Sequence, residues 1–349
     1  RKSAVWRLSE ANRKYQLVPT YPKVLACPST VHDKNLWEAA PQRSRRRLPS
    51  LVWLHPANNA PLVRSSQPMS GVTSKTLTED IFLLSRIRET ASSGHLSIVD
   101  ARPLLNARAN QVAGKGYEDV NNLGRDVTSL DFMNIENIHI VRDSLYSFAF
   151  AGHGLTSEGR STSNDYYSAV GASGWLRHIS QILKGATFVV DELQKGHAVL
   201  VHCSDGWDRT AQLTALAQLL LDPYYRTMEG FEVLVEKEWC AFGHTFGQRL
   251  SDHREESSPV FLQWVDAVWQ VLHQHPLAFE FTEHYLEMIV EGVYSGAFAN
   301  FLGNSEKERA QRAWGTDGGG VSLFPYMREY LTGHPMYPLE NAFYRRPRQ

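Results

Sequence analysis

Cysteine is scarce in this 349-residue chain: Cys27, Cys203 and Cys240 are the only three, and none stands at C-x-x-C spacing from another. An odd, sparse set argues against a disulfide scaffold and for a reducing compartment. Excess charge of either sign is also missing, since 36 Lys and Arg against 37 Asp and Glu leave a net charge of −1. That removes the broad basic face a nucleic-acid binder relies on, so no nucleic-acid partner is expected and any anion must be met locally. The chain has no charged-then-apolar leader, no Asn-x-Ser/Thr acceptor and no apolar run near the roughly 18 residues of a membrane span. It reads as cytoplasmic. The fourteen histidines keep no recognisable ligand spacing with Cys or Asp, so no metal and no cofactor is expected. G-x-x-x-x-G-K-[ST], G-x-G-x-x-G and G-x-S-x-G are all absent, which leaves nucleotide-loop and serine-hydrolase readings without their signatures.

What is present is an ordinary globular composition, 42% hydrophobic and 21% charged, long enough to bury a core without covalent staples. Leu51 to Leu54, between Pro49 and Pro56, and Ser97 to Val99, between Gly94 and Asp100, read as short buried strands. Ile135 with Ile138 to Val141 reads as a third. Arg43, Arg45, Arg46 and Arg47 precede the first strand and read as a solvated loop or as a surface that meets anionic lipid. Ala151 to Gly174, rich in Gly, Ser, Thr and Asn, reads as a long surface loop or insertion. Trp175, Ile179, Ile182, Ala186, Val189 and Leu193 then recur at helical spacing and stop at Gly196. His197 to Val201 reads as a strand, and Leu213, Leu216, Ala217 and Leu220 form the stripe of a helix ending before Pro223. Helices are also expected around Phe261 to Val271 and Leu286 to Val293, with Gly318 to Pro338 as a tail. This is α/β grammar, with a loop at the carboxyl end of a strand, where open sheets place ligands.

That loop carries the chemistry: His202, then Cys203-Ser204-Asp205-Gly206-Trp207-Asp208-Arg209, then Thr210. A turn from strand into helix points successive backbone N–H groups inward, forming an anion nest that Gly206 makes sterically possible. The same field favours a thiolate at Cys203, to which Thr210 adds a hydroxyl. Arg209, a planar fork of donors, suits two phosphate oxygens. A thiolate there would attack phosphorus and form a phosphocysteine, the departing alcohol would need a proton, and water would complete the turnover. Trp-Pro-Asp, the acid of many such enzymes, is absent. Asp205 and Asp208 remain, and at least one should have a raised pKa beside a bound phosphate. Asp208 is the preferred acid and Asp205 the ligand for leaving-group hydroxyls. His202 reads as a brace to backbone.

His202 to Gln212 resembles the signature of the myotubularin family of phosphoinositide 3-phosphatases. So do LLLDPYYR (219–226), GFEVLVEKEW (230–239), Phe242-Gly243-His244, SPVFLQ (258–263), Tyr21-Pro22, Ser66-Gln67-Pro68, Asp100-Ala101-Arg102-Pro103 and Asn137-Ile138-His139. The likeness spans nearly the whole chain. It implies an α/β cysteine-dependent, protein-tyrosine-phosphatase-like fold, a central mixed sheet flanked by helices, that removes the 3-phosphate from phosphatidylinositol 3-phosphate and phosphatidylinositol 3,5-bisphosphate on endosomal membranes. It also implies Cys203 as nucleophile, Arg209 as phosphate ligand and Asp208 as acid, with Ser204, Asp205, Gly206 and Trp207 as loop contacts. Asn110, Asn137 and Ile138 would line the headgroup pocket, and Arg249 would meet the second phosphate of the bisphosphate.

One departure matters: the family has Arg or Lys after Phe-Gly-His, where this chain has Thr245. Losing one charge-assisted phosphate contact, worth about 1.5–3 kcal/mol, should shift preference toward the monophosphate. Residues 1–30 are expected to be a connector after an absent lipid-binding domain, and 31–349 the phosphatase domain, in a chain that begins at Arg1 and so reads as a fragment. Dimerisation with itself or a relative would run through segments outside it. Two further readings stay open: a catalytically weak scaffold that binds an active homologue, and a protein tyrosine phosphatase.

Overall fold

Short apolar runs of up to four residues, bounded by Pro, Gly and Asp, become strands, as their β-branched and leucine-rich composition favours. The computed structural model describes residues 5–71, 77–152, 163–253, 255–313, 320–330 and 338–344. β1 (Trp6–Ser9) and β2 (Leu25–Pro28) form an antiparallel pair. The central sheet holds β3 (Ser50–Leu54), β4 (Pro61–Ser66), β5 (Leu96–Asp100), β6 (Thr128–Phe132) and β7 (Ala198–Cys203) in the order β3-β4-β7-β5-β6. Only the β3–β4 pair is antiparallel.

Every residue of β4, β5 and β7 is buried, the condition of parallel strands covered on both faces. Ser66 stands opposite Cys203 and Asp100 opposite His202, so the carboxyl ends of these three strands come level.

The helices that matter for the site are α1 (Thr78–Arg88), α2 (Leu104–Val112), α3 (Ile138–Gly152), α4 (Ser163–Ser173), α5 (Trp175–Gln194), α6 (Arg209–Leu221), α7 (Met228–Val235), α8 (Val260–Gln274) and α9 (Glu283–Ser295). α5 buries the stripe expected of it and ends where Gly196 takes a φ of +81°, a left-handed stop that glycine supplies at little cost. α6 lies against α5 and is buried along most of its length, which anchors the loop at its amino end to the core.

Two expectations of local structure need correction. Ile138 to Val141 is helix, because the Asn137 side chain accepts the amides of His139 and Ile140 and so caps α3. Ile138, Val141, Leu145 and Phe148, at helical spacing, face the core. The sheet's fifth strand is instead Thr128–Phe132 on the edge. Ala151 to Gly174 is not one long loop, since α4 occupies 163–173; residues 153–162 lie outside those described. Of residues 1–30, expected as a connector, the described part packs into the body. Leu17, Val18 and Tyr21 are fully buried, and Tyr21 meets Phe242 edge-on at 4.9 Å. In the tail, Gly318 and Gly319 lie outside the described residues, while Leu339 is buried and Asn341 bonds Glu280.

Candidate active site

β7 ends at Cys203 and α6 begins at Arg209, so the loop between them is held at both ends by the core. Gly206 has φ +76°, and a Cβ there would lie 2.2 Å from the Ser65 carbonyl oxygen; only glycine fits. Its N–H donates to Cys203 Sγ at 3.3 Å. Arg209 Nη2 reaches Ser204 Oγ at 3.4 Å, and Nη1 donates to the Ile135 carbonyl at 3.2 Å. Burial pushes the Cys203 thiol up, but Arg209 and the hydroxyl and amide of Thr210 outweigh it against the opposing charge of Asp208, and its pKa is lowered. The Thr210 hydroxyl is buried and has no other partner among the described residues.

Two buried guanidiniums hold the loop from below. Arg47 Nη2 and Arg64 Nη2 donate to the Gly206 carbonyl at 2.9 and 2.8 Å, keeping that oxygen on the protein side of the loop. Arg64 is paired with Glu238 at 2.7 Å. Arg47 instead also donates from Nη2 to the Phe242 carbonyl and from Nη1 to Thr20, and burial pushes its pKa down to about 10, still a cation at neutral pH. Beside them the Gln67 amide donates to the Ser204 carbonyl, and Arg102, paired with Asp100, bonds the Gln67 side chain and the Gly116 carbonyl.

His202 is buried beneath Cys203, with Nε2 2.9 Å from Glu118 Oε2 and Nδ1 3.2 Å from the Cys203 carbonyl. A carbonyl and a carboxylate only accept, so both ring nitrogens donate and the ring is an imidazolium. Against the cost of burial, Glu118 and Asp100 raise the His202 pKa, and His202 with Arg43 hold Glu118 well below the usual carboxylate range. The pair's contribution from Glu118 is in place above pH 4.5 and lost as pH falls through its lowered pKa. That from His202 is in place below 6.5 and lost as pH rises through its raised one. Stability against urea is therefore expected to decline as pH rises above about 6.5, and Glu118→Gln should flatten that decline. Equal slopes in the two proteins, measured as the transition midpoint from pH 6 to 9, would show that the buried imidazolium is not formed.

Asp208 departs from expectation. Its carboxylate takes Arg249 Nη2 at 2.9 Å and Nε at 3.1 Å, and lies 3.2 Å from His244 Nδ1, which also bonds the Trp207 carbonyl at 2.9 Å. Burial raises the pKa, but Arg249 and His244 overcome it and hold Asp208 well below the usual carboxylate range. The raised pKa expected of a loop carboxylate is thus not found at Asp208. The two acids do not oppose each other, because Asp205 turns to the rim, where its Oδ1 accepts the Ser44 hydroxyl at 2.8 Å. Arg249 also donates to Glu256, so its charge is balanced from within. Thr245 is buried, and its hydroxyl has no hydrogen-bond partner among the described residues.

The other expected residues divide. Ile138 accepts the Ser258 hydroxyl through its carbonyl and, with Asn137, follows the Ile135 carbonyl that receives Arg209. Asn110 lies on α2, where its amide donates to Asn106, within its own helix. The arginine cluster is neither a solvated loop nor a uniform lipid-facing surface. Arg43 is 1% exposed and bonded to Asp80 and Glu118, and Arg47 is 0% exposed. Arg47, Arg64, Gln67, Arg102, Glu118 and His244 were missed. Ser66-Gln67-Pro68 and Asp100 to Pro103 held the available signal, since both stretches follow strands that flank β7. A cavity of about 640 Å³ between α1 and β6 is lined by Asp80, Glu118, Asp119 and Arg125 among largely apolar side chains, and Asp80 and Glu118 are already paired with Arg43.

A thiol of lowered pKa in a glycine-bearing loop between strand and helix, at the carboxyl ends of the parallel strands of a mixed sheet, is the arrangement of cysteine-dependent phosphatases, and that is the class the fold and loop define. Within that class the chain belongs to the myotubularin-like phosphatase domain family, whose pattern matches residues 1–310. It is 44% identical over 311 residues to myotubularin of Xenopus laevis, covering 87% of this chain and 50% of that protein. To the phosphatidylinositol-3,5-bisphosphate 3-phosphatases MTMR6 and MTMR2 of Mus musculus it is 44% and 43% identical, over 96% and 95% of this chain and 54% and 52% of theirs. The chain spans about half the length of the curated relatives it matches.

Proposed function

We propose that this domain is a phosphoinositide 3-phosphatase. It removes the 3-phosphate from phosphatidylinositol 3-phosphate and, less well, from phosphatidylinositol 3,5-bisphosphate, at the surface of endosomal membranes. The observation that carries this reading is the lowered pKa of Cys203 in a loop whose amides and Arg209 suit a phosphate dianion. The names of the relatives supply the substrate class. No helix among the described residues is long and apolar enough to cross a membrane.

In this mechanism the Cys203 thiolate attacks phosphorus in line, the bond to the inositol oxygen breaks, and a phosphocysteine forms while Arg209 follows two equatorial oxygens. The inositol oxygen leaves as an alcohol once protonated. Water then attacks phosphorus, releasing inorganic phosphate and the thiolate. Asp208 is ionised in the resting site, so its role as proton donor begins when the arriving dianion competes for Arg249 and raises the carboxylate's pKa. Asp205, at the rim, is placed for inositol hydroxyls. Thr245 provides no charge and Arg249 is already paired, which weakens the hold on a second phosphate and favours the monophosphate.

Phosphate release from short-chain versions of both lipids and from a phosphotyrosine peptide tests the reading. Turnover of the lipids without the peptide is expected, and Thr245→Arg should raise the bisphosphate-to-monophosphate ratio about tenfold, one charge-assisted contact. An unchanged ratio would discard the role of Thr245. Peptide turnover alone would make the domain a tyrosine phosphatase, and no turnover a scaffold.

A further inference from the structure

The arginines around the loop differ in what they have left to offer. Arg43, Arg64, Arg102 and Arg249 are each buried against a carboxylate, and Arg47 is buried on carbonyls. Arg45 stands in the middle of the same segment, yet its side chain is 63% exposed. Its Nε is 4.0 Å from Asp205 Oδ1, an oxygen already holding the Ser44 hydroxyl at 2.8 Å. Its guanidinium carbon lies 5.7 Å from the centre of the half-buried Trp207 ring.

The backbone holds it there. Arg45 and Arg46 have φ of +54° and +63°, two successive non-glycine residues in the left-handed region, a conformation that persists only where the surroundings impose it. Here they do: the Ser44 amide bonds the Gln67 carbonyl, the Ser66 amide bonds the Arg47 carbonyl, and Arg46 is tied to the Leu17 carbonyl at 2.8 Å. A strained turn thus places one solvent-facing cation over Asp205 and Trp207, two residues of the phosphate loop.

We propose that Arg45 binds the phosphodiester of a membrane phosphoinositide at the mouth of the site, an assignment that rests on the 3-phosphatase reading above. The reacting phosphate must reach Cys203, which is 3% exposed, at the bottom of the loop. The diester is the point from which the acyl chains leave for the membrane, so it lies on the solvent side of the bound headgroup, where Arg45 is. A planar, weakly hydrated guanidinium suits a phosphate oxygen there, and the Trp207 face keeps it oriented.

Steady-state kinetics on dioctanoyl phosphatidylinositol 3-phosphate and on D-myo-inositol 3-phosphate, which has no diester, separate the outcomes. Arg45→Asn is the variant of choice, because asparagine tolerates the left-handed backbone. KM for the lipid is expected to rise about tenfold with kcat within about twofold. KM for inositol 3-phosphate should move less than about twofold, and Arg45→Lys should recover part of the loss. An equal change on both substrates, or no change on either, overturns the assignment. So does an effect confined to the 3,5-bisphosphate, which would put Arg45 on the ring phosphate instead. Failure of the wild-type domain on both inositol substrates overturns the phosphatase reading itself, and this assignment with it.

Discussion

Cys203→Ser is expected to reduce phosphate release to background, a loss of roughly 10⁴-fold or more, the scale on which removal of a covalent nucleophile acts. The change replaces sulfur by oxygen at a site that is 3% exposed, so the fold and the nest of amides should survive it. What is lost is the anion. Arg209 and Thr210 lower the thiol's pKa against burial, whereas a hydroxyl, far weaker as an acid, stays protonated in the same field. An unchanged thermal midpoint, unchanged affinity for short-chain phosphatidylinositol 3-phosphate and absent turnover are the expected set. Iodoacetamide offers a second readout at neutral pH. Burial raises the pKa of Cys27 and raises that of Cys240 well above the usual thiol value, so labelling should fall on Cys203 and vanish in the variant. Residual turnover above about one per cent would remove the phosphocysteine from the mechanism.

Asp208→Asn carries the next largest effect, and it tests whether a carboxylate locked in an ion pair at rest becomes the proton donor. The amide keeps the shape but cannot protonate the inositol oxygen. Turnover of the lipid should drop about 10²–10⁴-fold, the usual worth of a general acid. An aryl phosphate with a good leaving group, which departs without a proton, should lose far less. The substitution also strips Arg249 and His244 of their shared anion, leaving Arg249 with Glu256 alone. A buried pair broken from one side costs about 3–5 kcal/mol, so a lower melting temperature is expected alongside the kinetic change. Equal losses on lipid and aryl phosphate would assign Asp208 to holding Arg249 and His244, and the proton donor would then be sought at Asp205.

The parts of the molecule legible in the sequence share one property: their partners are near neighbours in the chain. A buried strand, a glycine-bearing loop with cysteine and arginine six positions apart, and a helix are all written within residues 198–221, and the structure keeps them in that order, though it buries the helix on every face rather than along one stripe. The Trp175–Gln194 helix was equally plain, because its stripe repeats for five turns. Where reading failed, a local signal was outvoted or was absent. Ile138 to Val141 looks like a strand if its β-branched residues are weighed alone, yet one side chain, Asn137, turns it into a helix by accepting two amides. Thr128–Phe132 has mixed polarity because it is an edge strand, and nothing in its composition marks it.

By itself, then, the sequence put Cys203, Arg209 and the loop that joins them into one turn, the pair we propose as nucleophile and phosphate ligand, since covalent spacing and backbone geometry leave five intervening residues little freedom. The fate of the charges was decided only by the tertiary structure. Arg43 meets Asp80 and Glu118, His202 meets Glu118, Arg64 meets Glu238, and Asp208 meets Arg249, across separations of 37 to 174 residues. A formal charge in a sequence carries no desolvation energy. Burial assigns that cost, and an opposite charge brought from a distant element offsets it. This is why four arginines of one segment separate into a buried ion pair at Arg43, a solvent-facing cation at Arg45, a tie to the Leu17 carbonyl at Arg46 and a clamp on the loop at Arg47.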